Sequence, residues 1–230
     1  QANIPIGTVA RRDTAARWRV VNILVIRRIG QADHSGTVRP TNTRYSRGRK
    51  EMNELFIYGV IGEDILGEGL TARTVQNELS EVERGSEIML RINSPGGDVF
   101  EAEAIVSMLS DYKVSARSDG IAASAASYIA AHASSVEISD GGFYMMHNPW
   151  TITIGDAAEH SRTERLLEKL TASLSKAYAS KSGQAIADVR EWMNEETWLT
   201  ADEAFGYGLV DQITETRAAA CAVPAEFGYR

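Results

Sequence analysis

The chain lacks the residue patterns on which several classes of protein depend. Its 230 residues contain one cysteine, Cys221, so an intramolecular disulfide and a thiolate zinc cluster are excluded. There is no G-x-G-x-x-G string and no Lys-Ser/Thr pair after a glycine-rich turn, which disfavours dinucleotide and phosphate binding. No H-x-x-x-H or paired carboxylate–histidine spacing suggests a metal. We therefore expect neither a cofactor nor a metal ion.

The first 51 residues also lack a long apolar run. They contain one short run, residues 20–26, which Asn22 interrupts. This run is far too short to span a bilayer, and it lacks the small-residue cleavage site of a secretory signal. We expect a cytoplasmic protein that makes no contact with a membrane.

Charge is distributed unevenly along the chain, although the net formal charge is only −7. Residues 1–51 carry eleven Lys/Arg and three Asp/Glu, whereas the remainder carries 13 and 28. A basic arm of this kind can contact nucleic acid or an acidic surface, and it can equally be a solvated leader. The composition predicts a basic flexible extension over 1–51, a folded domain over 52–215 and a tail over 216–230.

Apolar periodicity predicts strands and helices in alternation. Strands are expected over 55–61, 87–92, 113–118, 136–138 and 143–146, and helices over 71–83, 99–109, from Ser124 onwards, 157–182, 186–193 and after Thr200. This order predicts an α/β fold with a mostly parallel sheet and surrounding helices. Functional sites in such sheets collect where strands end and helices begin.

The helix expected over 157–182 is unusually long for a domain of this size. Asp156 is placed to cap its start, and Gly183 is placed to end it. Its apolar stripe consists of Leu166, Leu167, Leu170, Leu174 and Tyr178. The helix either lies across the core or projects and packs on another subunit, with the β-prone residues 151–154 before it.

Residues 119–132, DGIAASAASYIAAH, form a small-residue stretch centred on Ser124. A helix beginning at Ser124 would aim free backbone N–H groups and its positive dipole end at a reacting carbonyl. A nucleophilic hydroxyl and an oxyanion hole need that geometry. Close packing of helices explains such a string equally well, so the string alone does not assign a function.

Two further positions are candidates for chemistry. Residues 93–97, NSPGG, follow a strand and precede a helix, so they form either a plain turn or a loop that presents a glycine N–H to a substrate oxygen. His147 falls at the end of an apolar strand, where a general base can be placed, although a structural role also fits.

The strings RINSPGGDVFEAEAI, DGIAASAAS, MMHNP and ETWLTADEAFGYGLVD occur in one order with suitable separations. Over residues 55–213 they closely resemble the proteolytic subunit of the Clp protease family. The form MMHNPWTITIGDA resembles the phage and prophage head maturation proteases more than the housekeeping bacterial subunit. The resemblance implies the ClpP/crotonase-like fold, with residues 151–154 and the long helix as a projecting handle.

The same resemblance implies a serine endopeptidase site. Ser124 corresponds to the nucleophile and His147 to the general base of the family. The backbone N–H groups of Gly97 and Ala125 correspond to the oxyanion hole. The family's chemistry requires no cofactor and no metal.

The resemblance places the acid of the triad on Glu196, two residues before Trp198 and the LTADEA string. Housekeeping members have Asp at this position. Glu can still orient an imidazole, and Glu195 and Asp202 remain rival candidates.

Family members enclose their sites in stacked rings, which implies a homo-oligomer acting on polypeptides, such as scaffold or capsid protein for a phage enzyme. An alternative is a bacterial subunit fed by an ATPase unfoldase. Less favoured alternatives are a crotonase-like acyl-CoA enzyme and an inactive assembly scaffold. A Ser–Lys dyad is disfavoured because a histidine occupies the expected position of the base.

Overall fold

The computed structural model describes residues 52–63 and 69–215. The basic extension expected over 1–51 and the tail expected over 216–230, with Cys221, lie outside the described residues, so these predictions are not tested. The observations below concern the expected folded domain.

Strands and helices alternate along the described chain, as the apolar periodicity predicts. The strands are β1 (Asn53–Ile61), β2 (Glu87–Gly97), β3 (Lys113–Ala123), β4 (Ser135–Ser139), β5 (Phe143–Met146), β6 (Thr197–Thr200) and β7 (Gln212–Thr214). The helices are α1 (Ala72–Leu79), α2 (Val99–Leu109), α3 (Ala125–Ala131), α4 (Ala157–Ser182), α5 (Ile186–Asn194) and α6 (Ala201–Gly206).

The strands form one sheet with the order β1-β2-β3-β4-β7, and β5 and β6 continue it beside the end of β3. Every pairing is parallel except that of β5 with β6. The expected α/β fold with a mostly parallel sheet is therefore confirmed. β5 pairs with the last residues of β3, which brings the end of β5 close to the start of α3.

One face of the sheet carries the core. Alternate residues of β1 and β2 are buried on that face, namely Leu55, Ile57, Ile88, Leu90 and Ile92. The intervening residues Glu54, Phe56 and Tyr58 of β1 are exposed, so this strand is covered on one face. The helix α3 is buried along its whole length, because it packs between the sheet, α2 and α4.

Three differences from the sequence prediction affect the site. β2 runs through Gly97, so residues 93–97 form the irregular end of a strand rather than a separate turn, and the register of β2 with β1 and with β3 shifts near this end. β3 likewise extends to Ala123. β6 was not anticipated, because Leu199 is its one buried residue and a single buried position shows no period.

The helix α4 has the predicted bounds, with Asp156 accepting a hydrogen bond from the Glu159 N–H and Gly183 in the left-handed conformation at its end. Its buried residues all lie in its last third: Leu174, Ser175 and Tyr178. Residues 151–154 form no strand and pair with no other strand of the described chain.

Candidate active site

Ser124 lies at the junction of β3 and α3, in a backbone conformation that non-glycine residues rarely adopt. Its φ is 55° and its ψ is −124°, a combination that costs about 1–3 kcal/mol and persists only where the surroundings enforce it. The Ser124 N–H donates to the carbonyl of Met145 at 3.0 Å, and its carbonyl accepts the N–H of Tyr128 at 3.0 Å. Its side chain caps no helix N–H and is free to point elsewhere.

The glycines of β2 allow close approach to this junction. A Cβ on Gly96, where φ is +93°, would lie 2.6 Å from the Ser124 Cβ and 2.8 Å from the Ala125 nitrogen. A Cβ on Gly97 would lie 2.0 Å from the Ile61 carbonyl oxygen. Of the two predicted oxyanion donors, Ala125 is the first residue of α3 and has an N–H without an intrahelical acceptor, whereas Gly97 is the last residue of β2 and pairs with Ile61 of β1. Their role as oxyanion donors stays a prediction.

His147 follows directly on β5 and contacts Ser124. The distance from its Nε2 to Ser124 Oγ is 2.8 Å, so with the proton on Nδ1 the serine hydroxyl donates to the imidazole. Burial lowers the pKa of His147 below its ordinary value, and the nearby Glu196 carboxylate offsets part of that effect. The imidazole is therefore neutral at pH 7 and able to accept a proton.

Glu196 approaches the other nitrogen of the same ring. Its Oε2 lies 3.9 Å from His147 Nδ1, which is an ion-pair distance rather than a hydrogen bond. Its side chain is 61% exposed, and its φ of 52° is positive. Within the described ranges no ion pair joins His147 to Glu195 or Asp202, the rival acids; Glu195 is the C-cap of α5, and Asp202 lies in the first turn of α6.

Three buried hydroxyl groups beside Ser124 were not anticipated. Ser127 Oγ lies 2.8 Å from the Ser124 carbonyl oxygen and 2.8 Å from the hydroxyl of Tyr178. Tyr144 donates to the carbonyl of Ser127 at 2.7 Å. The sequence offered one signal for these hydroxyl groups, namely a second serine, Ser127, three residues after Ser124 in the alanine-rich string.

The space next to the reactive groups is narrow. A hollow of about 10 Å³ adjoins Ser124 and His147, and its walls include Val99, Ala102, Tyr128, Leu174 and Tyr178. A wider hollow of about 480 Å³ lies between residues 148–153 and α4, and it contains His160 rather than the reactive pair.

The remaining described histidines have other surroundings. The His132 Nδ1 lies 2.9 Å from the carbonyl oxygen of Tyr128, and its ring meets the Tyr128 ring edge-on. His34 lies outside the described residues. Within 52–63 and 69–215, no group of three or more His, Cys, Asp or Glu side chains is arranged to hold a metal ion. No helix in these ranges combines the length and apolar character needed to cross a bilayer.

A serine on a strained strand-to-helix junction, hydrogen-bonded to a histidine that faces a carboxylate, is the arrangement of a serine hydrolase. The family model described as Clp protease matches residues 55–217. The chain therefore belongs to the Clp protease family, whose members are serine-type peptidases.

Named relatives agree with this assignment. The chain is 28% identical to the ATP-dependent Clp protease proteolytic subunit 3 of Rhizobium etli over 170 residues, which is 71% of this chain and 84% of the relative. It is 27% identical to subunit 2 of Treponema pallidum over 73% of this chain and 85% of the relative. For the Bacteroides fragilis subunit the identity is 31%, over 62% of this chain and 72% of the relative. The family favours a peptidase over an acyl-CoA enzyme.

Proposed function

We propose that this chain cleaves peptide bonds with Ser124 as nucleophile, His147 as general base and Glu196 as the acid that orients the base. The observation that carries the proposal is the 2.8 Å contact between Ser124 Oγ and His147 Nε2, at a residue with a strained backbone that directly precedes α3. A serine hydroxyl is weakly nucleophilic by itself and needs such an adjacent base.

The reaction follows from this geometry. As Ser124 Oγ attacks the substrate carbonyl carbon, its proton passes to His147 Nε2, and the carbonyl oxygen becomes an oxyanion that the N–H groups of Gly97 and Ala125 stabilise. The imidazolium then protonates the leaving amine, the C–N bond breaks and an acyl-enzyme remains. Water, deprotonated by His147, attacks the ester, and the carboxylic acid leaves as the proton returns to Ser124.

We further propose that the chain works as a proteolytic subunit in a homo-oligomeric ring fed by an ATPase unfoldase. The relatives named above are all described as subunits of ATP-dependent proteases, which supports this reading. The exposed apolar side chains of Trp150, Ile152 and Ile154 support association, because alternate apolar residues on an extended segment suit burial by another chain.

The second candidate is a head maturation protease of a phage or prophage, which cuts scaffold or capsid protein. The string MMHNPWTITIGDA, with its resemblance to that branch, is the observation in its favour. Such an enzyme would act without an unfoldase, because its substrates would reach it as components of the assembling capsid.

Labelling of the full chain with a fluorophosphonate tests the peptidase proposal. We expect covalent modification at Ser124 in the native chain, none in Ser124→Ala, and hydrolysis of a short fluorogenic peptide only by the former. Modification at another residue, or equal hydrolysis by Ser124→Ala, would contradict it.

Degradation of a tagged, stably folded protein separates the two roles. If the chain is an ATP-dependent subunit, degradation requires a Clp-type unfoldase and ATP. Cleavage of a capsid–scaffold assembly without either component, and no stimulation by an unfoldase, would favour the head protease instead.

A further inference from the structure

The buried hydroxyl groups beside Ser124 come from three different elements. Ser127 belongs to α3, Tyr144 to β5 and Tyr178 to α4, and none is more than 2% exposed. A buried hydroxyl without a partner is costly, and each of these three has one. The three side chains are therefore joined through hydrogen bonds to Ser127, in the region where α3, β5 and α4 meet.

The direction of the hydrogen bonds follows from the number of protons. Ser127 has one hydroxyl hydrogen, and its Oγ lies 2.6 Å from the Met145 carbonyl oxygen and 2.8 Å from that of Ser124. Because carbonyls only accept, Ser127 donates to one of them at a time. The Tyr178 hydroxyl, at 2.8 Å, must then be the donor to Ser127. Burial raises the pKa of Tyr178 above its ordinary value, so this donor keeps its proton at neutral pH.

This network joins the two reactive segments. Met145 precedes His147 by two positions on β5, and its carbonyl also accepts the Ser124 N–H at 3.0 Å. Ser127 thus links the strand that leads to the base with the helix that begins at the nucleophile. Tyr178 supports this link from α4, and its hydroxyl also lies 3.4 Å from the Ser124 carbonyl oxygen.

We infer that Ser127 and Tyr178 are positioning residues, which fix the separation of Ser124 and His147 by joining α3, β5 and α4 through one hydrogen-bonded chain. The inference rests on the proposed function of Ser124 and His147. Neither hydroxyl belongs to the reacting set. Their effect acts through the backbone of Ser124, whose strained conformation needs support from several sides.

Single-atom deletions test the inference. Tyr178→Phe removes the donor and keeps the ring that lines the hollow, while Ser127→Ala removes the central hydroxyl. Tyr112→Phe is the matched control, because its half-buried hydroxyl lies 3.5 Å from the Leu79 carbonyl, away from Ser124. The full chain is used, and rates are expressed per site titrated with the fluorophosphonate, so unfolded molecules do not contribute.

We expect each deletion to lower kcat and the rate of fluorophosphonate acylation about tenfold, because small displacements of reacting groups slow chemistry strongly. KM should stay within about twofold, since the substrate contacts remain. The double variant should be no slower than the slower single variant, because both changes break one chain of bonds. Tyr112→Phe should match the native rates.

Rates per titrated site equal to the native rate in both variants would overturn the inference, as would strictly multiplicative losses in the double variant. If the rates fall only in proportion to folded protein, the network is structural and the inference is wrong. A native chain that neither reacts with the probe nor cleaves peptide would overturn the proposed function and this inference together. An active native chain with unaffected variants overturns the inference alone.

Discussion

Ser124 and Glu196 are the two non-glycine residues with positive φ in the described ranges, and they lie on opposite sides of the His147 ring. In other respects they differ. Ser124 is held through its N–H, its carbonyl and the close approach of Gly96. Glu196 lies on an exposed surface turn between α5 and β6, and its N–H reaches the Met193 carbonyl only at 3.4 Å.

The difference shows which half of the site the core determines. The serine and imidazole are already at hydrogen-bond distance because buried elements fix both. The carboxylate remains at ion-pair distance because a surface turn, rather than the core, positions it. The Glu196 side is therefore the half of the site that the core does not fix, and we refer to it as the adjustable half.

The largest effect on activity is expected for His147→Ala, which removes the imidazole that lies between Ser124 and Glu196. We expect kcat to fall by about 10⁶-fold, since loss of the base in a serine protease removes nearly all triad catalysis. The substitution should leave circular dichroism and the melting temperature close to native values. Peptide hydrolysis and melting, measured on one preparation, check this; a residual rate within a hundredfold of native would contradict it.

Glu196→Gln tests the adjustable half directly. We expect kcat to fall about a thousandfold, less than the ~10⁴-fold loss caused by removing a buried, hydrogen-bonded triad acid, because this carboxylate is exposed and 3.9 Å away. Glu195→Gln is the matched control, since the two residues are neighbours, and its effect should be mild. If Glu195→Gln were the inactive variant, the acid would be misassigned.

Gly96→Ala tests the core-determined half. A Cβ on residue 96 would overlap the Ser124 Cβ, and alanine would be strained at the positive φ of this position. We therefore expect a loss of about 1–3 kcal/mol in stability. Because the nucleophile would be displaced, we also expect kcat to fall about a hundredfold. Gly183→Ala is a useful control, because a Cβ there meets nothing within 4 Å although φ is also positive. It should lose stability and keep its rate per titrated site; equal kinetic losses in both variants would refute the argument.

The smallest expected effect is a change in the pH dependence of kcat/KM. His147 must be neutral to act as a base, so activity should fall as the pH drops through its lowered pKa. The Glu196 carboxylate favours the imidazolium and raises that pKa. Glu196→Gln should therefore move the acid limb of kcat/KM to lower pH. A shift of this limb to higher pH would show that Glu196 does not act on His147 in this way.

The sequence predicted the fold well where apolar residues recur at a regular period or where a capping residue marks the end of a helix. The bounds of α4 follow from Asp156 and Gly183, and α2 begins after Asp98 as expected. The motif positions of Ser124 and His147 also identified the residues that the structure brings into contact. These features are local in the chain, so short patterns reveal them.

What the sequence did not show depends on contacts between distant segments. Tyr178 is 51 positions from Ser127, and within its own helix it resembles one more member of an apolar stripe. β6 is recognisable only by its antiparallel pairing with β5. For residues 151–154 the sequence favours a strand that the structure does not contain. Their β propensity is not sufficient without a neighbouring strand to pair with.

The exposed segment before α4 also gives this protein an optical signal. Trp150 is 72% exposed, and an indole in water emits at longer wavelength than one in an apolar environment. If another chain covers this segment, the emission should move to shorter wavelength as the protein is concentrated. Replacing Trp150 by Phe should remove most of that shift, so self-association can be followed by fluorescence without an attached dye.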